Sequence, residues 1–282
     1  VIEVGPNRYG KSAIRLVKVD RDVTPHRIRD LTIAIALRGD FAASYDQGDN
    51  AGVIATDTMK NTAYALAGEH LTASIEEFGF ALGRHFLAEP QVDEVEVSID
   101  QHPWIPIGDA PDAFTRDGSV TRTARVTVRR DGAEVRAGLA GLIVMKTTRS
   151  AFSGFPRDRL TTLKETEDRI LATKVTAWWS YAPDGPADHD AAWEDVRSTL
   201  LEAFADHDSA SVQASIWIVG KAILERHPEL ADVSMSLPNL HHWTVDLSPF
   251  GIENDRQVYV ATTEPYGLIE ATIQRADLDA GS

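Results

Sequence analysis

The chain predicts an α+β fold with antiparallel sheets, and three observations carry that prediction. Several segments alternate apolar and polar residues with a period of two, and others repeat apolar residues at three- and four-residue spacing. The order strand, strand, helix, helix, strand, strand occurs once in each half. Alternation with one polar face suits antiparallel sheets with helices on the other face; a parallel doubly wound sheet would show near-continuous apolar strands.

Arg8 to Asp20 and His26 to Leu37 read as the first two strands. In the second, Leu31, Ile33, Ile35 and Leu37 alternate with Thr32, Ala34 and Ala36, and the short link through Asp22, Thr24 and Pro25 predicts a hairpin. A strand over Val53 to Ala55 runs into Thr56 and Asp57, either of which could cap a helix beginning near Thr58. A second helix carries Ile75, Phe78, Leu82 and Phe86 on one face. Two more strands follow, around Val95 to Ile99 and Val120 to Arg129, joined by a Pro-, Gly- and Asp-rich loop from Pro103 to Gly118.

The turn R-D-G-A around Gly132 places the boundary there, giving units 1–132 and 133–282. The second unit predicts strands at Val135 to Thr147 and Lys174 to Tyr181, and a loop at Pro183 to Pro186. Helices with Trp193, Val196, Leu200 and Phe204, and then Val212, Ile216, Val219 and Ile223, on one face come next. His241 to Leu247 and Gln257 to Thr263 are the expected closing strands. Between the first two strands lies F-S-G-F-P-R-D-R-L-T-T-L-K-E-T-E-D-R, from Phe152 to Arg169. Gly154 and Pro156 interrupt regular structure there, and Thr161, Thr162 or Asp158 could cap a short helix reaching Leu163 and Ile170.

Composition excludes whole classes of function. The chain has 282 residues and no cysteine, which removes disulfides, thiol nucleophiles, thiolate zinc sites and cysteine-ligated clusters. Its net charge of −15 argues against nucleic acid as a partner and requires any anionic ligand to be drawn in by local cations. No apolar run approaches the roughly 20 residues of a membrane span, and no signal peptide opens the chain, so a cytoplasmic protein without a membrane partner is expected.

Candidate site residues each have an ordinary reading beside the functional one. Phe152 and Arg169 could hold a flat anionic molecule, by ring stacking and a guanidinium fork, or be a core ring and a solvated cation. Lys11 could be a solvated strand-edge lysine, and Gln213 an exposed first-turn residue. His241 would share a strand face with Trp243, Val245 and Leu247 and could be a satisfied core histidine. The adjacent His241 and His242 point to opposite faces, a poor arrangement for chelation.

Taken together, Y-G-K at Tyr9 to Lys11, A-T-D-T-M-K-N-T from Ala55, the Phe152 to Arg169 stretch, S-A-S-V-Q-A at Ser209 to Ala214, S-L-P-N-L-H at Ser236 to His241 and Y-G-L-I-E-A-T from Tyr266 closely resemble the urate oxidases (uricases), from about Tyr9 to about Gln274. The resemblance implies the tunnelling fold: two tandem ββααββ units, a barrel formed by paired subunits, and a homotetramer with active sites at subunit interfaces. It implies oxidation of urate by O2 and water to 5-hydroxyisourate and H2O2, with no metal and no organic cofactor. Arg169 and Gln213 would grip the purine edge, Phe152 would stack on it, and Leu163 with backbone groups of Val212 and Asp57 would complete the pocket. Lys11, Thr56 and His241 would handle protons, and Asn239 with Thr56 would hold O2 or the attacking water. Lys11 and Thr56 would come from a neighbouring subunit. Two departures stand out. Leu240 occupies a position where the family commonly has Lys, and the terminal Ala-Gly-Ser is not the peroxisomal tripeptide of eukaryotic members, which points to a bacterial-type cytoplasmic enzyme. The competing expectations are a zinc-dependent pterin or purine hydrolase or lyase on the same fold, and a purine-binding relative without catalysis.

Overall fold

The computed structural model describes residues 2–116, 118, 120–182 and 185–276. Pro183 and Asp184 of the expected Pro183–Pro186 loop, and the C-terminal Ala-Gly-Ser, lie outside these. The fold is mixed α+β with antiparallel pairing, and the chain divides into two compact units: residues 1–138 with 186–192, and 139–185 with 193–282.

In the first unit, β1 (Tyr9–Asp20) and β2 (Arg27–Gly39) form the expected hairpin. Helices α2 (Thr56–His70) and α3 (Ile75–Leu87) follow a short α1 (Ala42–Asp46), and β3 (Val92–His102) and β6 (Thr121–Arg129) complete a sheet ordered β1-β2-β3-β6. The alternation that predicted β2 works as expected: Leu31, Ile33, Ile35 and Leu37 are all buried. Ile75, Phe78, Leu82 and Phe86 of α3 join the same core, and the N-cap Ser74 accepts from Glu77 N at 3.1 Å. Within the predicted Pro103–Gly118 loop, β4 (Trp104–Pro106) pairs with β5 (Phe114–Arg116) as a small separate hairpin.

The second unit holds β7 from Leu139 to Lys146, β8 (Leu171–Tyr181), most of α4 (His189–Asp206), α5 (Val212–Arg226), β9 (Leu230–Ser236) and β12 (Glu270–Gln274). Here one expectation fails. The strands that finish its sheet are β9 and β12, paired antiparallel from Ser236↔Glu270 to Asp232↔Gln274. The predicted closing strands instead form a separate two-stranded hairpin, β10 (His241–Thr244) with β11 (Tyr259–Thr262). β10 stops at Thr244 because Asp246 accepts the Ser248 N–H in a turn that carries Pro249.

In each unit one helix approaches a strand through a glycine. A Cβ at Gly79 of α3 would come within 2.7 Å of Val126 Cγ2, and one at Gly220 of α5 within 2.5 Å of Ile273 Cγ1. Gly220→Ala is therefore expected to cost about 1–3 kcal/mol by overpacking. The check is a urea midpoint that falls while the slope is unchanged.

Candidate active site

A cleft of about 780 Å³ opens in the second unit, and its lining gathers Phe152, Leu163, Arg169, Val212, Gln213, Asn239 and His241. The segment that supplies the first three is not the helix its capping residues suggested. Phe152 N donates to Thr166 O (2.8 Å) and Thr166 N to Phe152 O (3.1 Å), so the chain closes into an antiparallel bridge. Arg169 N then donates to Ser150 O at 2.7 Å. The capping candidates are used up locally: Asp158 Oδ1 accepts from Leu160 N and from the Thr161 hydroxyl, both at 2.9 Å, an Asx turn in place of a helix start.

This ladder brings the Arg169 guanidinium over the Phe152 ring, with Cζ 5.3 Å from the centroid. Phe155, which sequence reasoning left unassigned, stacks on Phe152 at 5.0 Å and 14° and so helps fix the ring's plane. Burial holds the Arg169 proton affinity below the usual guanidinium range. Its Nε is buried with no hydrogen-bond partner. Among the described residues no carboxylate pairs with it. A partly desolvated cation left in this condition favours an anionic partner.

The other walls come from three elements. Val212 and Gln213 open α5, whose N-cap Ser211 accepts from Ala214 N at 3.1 Å. N–H groups at a helix start lack intrahelical partners and favour negative charge. Gln213 is exposed and belongs to the cleft lining, so its first-turn position and a ligand role are compatible. Asn239 is held by its backbone, which donates to Gly267 O at 3.0 Å and bridges Thr173. His241 is half-buried and stacks on the half-exposed Trp243 at 5.2 Å, which corrects the core-histidine reading. His242 Nδ1 donates to Leu240 O at 2.9 Å. Trp243, Arg256, Tyr259 and Ile269 also line the cleft. Of these only Trp243 left a signal, its spacing of two from His241.

Lys11, Thr56 and Asp57 belong to the first unit and are not among the lining residues. Thr56 and Asp57 do not cap α2; the N-cap is Ala55, which has no side-chain oxygen to offer, and both sit in the first turn. The Asp57 carboxylate accepts from Lys60 Nζ (2.5 Å) and Asn61 Nδ2 (3.0 Å). The Lys60 hydrogen bond and charge, with a smaller contribution from Lys11, hold its proton affinity below the usual carboxylate range. Tyr9 pins the approach to this turn: its hydroxyl accepts from Ile54 N (2.8 Å) and donates to Ile54 O (3.2 Å). A Cβ at Gly10 would overlap the Ile35 carbonyl oxygen, so only glycine lets β1 lie this close to β2. Lys11 comes just before a β-bulge between Lys11 and Ile14, a device that re-aims side chains.

Desolvation, then the Arg169 and His242 charges, lower the His241 proton affinity. Burial lowers His102 and His207 too. The unfolded chain therefore binds protons at these imidazoles more readily, so stability rises with pH across their range. What they contribute is intact above about pH 6.5, the ordinary imidazole value, and is lost as pH falls below it. The urea midpoint should drop on acidification through that range, and by less in His241→Gln.

Among the described residues no group of three or more His, Cys, Asp or Glu is placed to hold a metal ion, so the zinc hydrolase alternative has no ligand set there. No helix of these residues is long and apolar enough to cross a membrane. A partly desolvated guanidinium over an aromatic ring, with a helix N-terminus, an amide and an imidazole lining the same cleft, is chemically suited to flat, anionic, hydrogen-bonding small molecules. The sequence model of the uricases matches residues 7–127 and 135–270. The chain belongs to the uricase family. It is 47% identical over 275 residues to the uricase of Arthrobacter globiformis, covering 97% of this chain and 90% of that protein. The crystal structure of uricase from that organism superposes with a TM-score of 0.94, covering 98% of this chain and 96% of the other. A uricase from Dictyostelium discoideum is 38% identical, with 96% of each chain covered.

Proposed function

We propose that this chain oxidises urate with O2 and water to 5-hydroxyisourate and H2O2, using neither metal nor organic cofactor. The observation that carries this reading is the carboxylate-free Arg169 guanidinium held 5.3 Å from the Phe152 ring centroid in a cleft that also receives Gln213, Asn239 and His241. Two electrons pass from the purine to O2. Water supplies the added hydroxyl, and peroxide takes up one proton from that water and one from the purine.

In this reading the Arg169 fork pairs with a carbonyl oxygen and a ring nitrogen of urate, and the Gln213 amide supplies a matching donor and acceptor. Phe152 stacks on the purine, and Leu163 with backbone groups of Val212 and Asp57 closes the pocket. Thr56 and Asn239 hold O2 or the attacking water. A threonine hydroxyl is too weak an acid to act alone, so Lys11 serves as its base and His241 passes the proton onward. The cleft's lining comes from the second unit, whereas Lys11, Thr56 and Asp57 lie in the first. Membership of the uricase family supports a homotetramer of tunnelling-fold units, 1–132 and 133–282, paired into barrels, in which a neighbouring subunit lends Lys11 and Thr56 to each site.

Metal-stripped protein mixed with urate in air should bleach the purine's ultraviolet band, with one O2 consumed and one H2O2 formed per urate. Failure of a correctly assembled sample to consume urate would reject the proposal. Tight urate binding without turnover would identify a purine-binding relative instead.

A further inference from the structure

We propose that His207 is a positioning residue for the purine-gripping end of the cleft, fixing the first turn of α5 against the segment that carries Phe152 and receives Arg169. It extends the urate reading to residues that touch no substrate.

His207, Ser209 and Ser215 are almost wholly buried, at 9%, 2% and 0% exposure. His207 Nδ1 lies 2.8 Å from Ala203 O. A carbonyl can only accept, so Nδ1 carries the proton and Nε2 is left as an acceptor. Nε2 is 2.8 Å from the Ser215 hydroxyl, whose single proton is shared between Nε2 and Ser209 Oγ, also at 2.8 Å. Ser209 Oγ donates to Ser211 O at 3.1 Å. Ser215 is one half-turn beyond Gln213, so fixing its hydroxyl sets the rotation of the helix start.

Backbone bonds carry the same registration across the cleft. Ser209 N donates to Arg149 O (2.9 Å) and Ala151 N to Ser209 O (2.7 Å), while Ser150 O accepts from Arg169 N (2.7 Å). The backbone that carries the imidazole is anchored from behind. Buried Lys146 donates from Nζ to the carbonyls of Phe204 (3.1 Å), Ala205 (3.2 Å) and His207 at the end of α4. Every member of this network has its partner, and removing one strands the others in a dry interior. An apolar core of equal volume would hold the helix in place without fixing its rotation.

The test is His207→Leu, which keeps bulk and removes both nitrogens, compared with His207→Gln, whose amide oxygen can still accept from Ser215. In folded His207→Leu, KM for urate and the anaerobic urate Kd should rise together by about fivefold or more with kcat within about twofold, the signature of lost uniform binding. His207→Gln should recover most of the affinity. In a Gln213→Ala background His207→Leu should add little, because the two act through one contact. Should His207→Leu fail to fold, Ser215→Ala should give the same rise in KM and Kd. Unchanged Kd in a folded variant, or full additivity with Gln213→Ala, would overturn the inference. Absence of urate turnover in the unmodified protein would instead reject the functional reading, and the anaerobic binding comparison would still decide the role of His207.

Discussion

Arg169→Ala is expected to raise KM for urate by about two to three orders of magnitude. The guanidinium is partly desolvated beside Phe152, with Nε buried and unpaired, so its interaction with an anion forms in a site with reduced competition from water. Truncating one partner of such a hydrogen-bonded charge pair typically costs about 2–5 kcal/mol, and each 1.4 kcal/mol is about tenfold in affinity. Arg169→Lys should recover little of this, because a point charge on a flexible stem cannot reproduce two parallel donors. Anaerobic titration of urate measures the loss directly. A Kd within a few-fold of the unmodified protein would mean the purine is held elsewhere.

Thr56→Ala should give the opposite pattern. In the proposed mechanism the hydroxyl belongs to proton transfer, so kcat is expected to fall by about a hundredfold or more, within the usual span of general acid–base contributions. Urate affinity should change little. Single-turnover loss of the purine band, set beside anaerobic binding, separates the two quantities. Equal loss of affinity in Thr56→Ala and Arg169→Ala would show that the division between gripping and proton-handling residues is wrong.

How much of this was legible in the sequence depends on how each element is held. β2 and α3 bury a full stripe, with Leu31, Ile33, Ile35, Leu37, Phe78 and Leu82 inaccessible or nearly so, and periodicity alone located both. β12 is E-A-T-I-Q, short and mostly exposed, and its pairing with β9 decides its conformation. The β10–β11 hairpin was read as part of the main sheet because its alternation is real but belongs to a separate ribbon. In the candidate site, the Thr and Asp pattern after Phe155 carried a helix-start signal. Local bonds around Asp158 satisfied it, and the longer-range bridge from Phe152 to Thr166 set the path. The motifs named residues that the fold gathers in one cleft. They could not reveal Phe155, Arg256 or the His207 network, because such positions matter only after the chain has folded back on itself.

That bridge separates two jobs that share one stretch of chain. Its two backbone bonds fasten the ring-and-guanidinium pair at the base, while Thr162, Leu163, Lys164 and Glu165 reach the cleft from the excursion beyond it. On the proposed binding mode, changes of length or side chain along 153–165 would remodel which purine substituents are admitted while the Phe152–Arg169 geometry beneath stays put. Selectivity in this scaffold can drift independently of the grip.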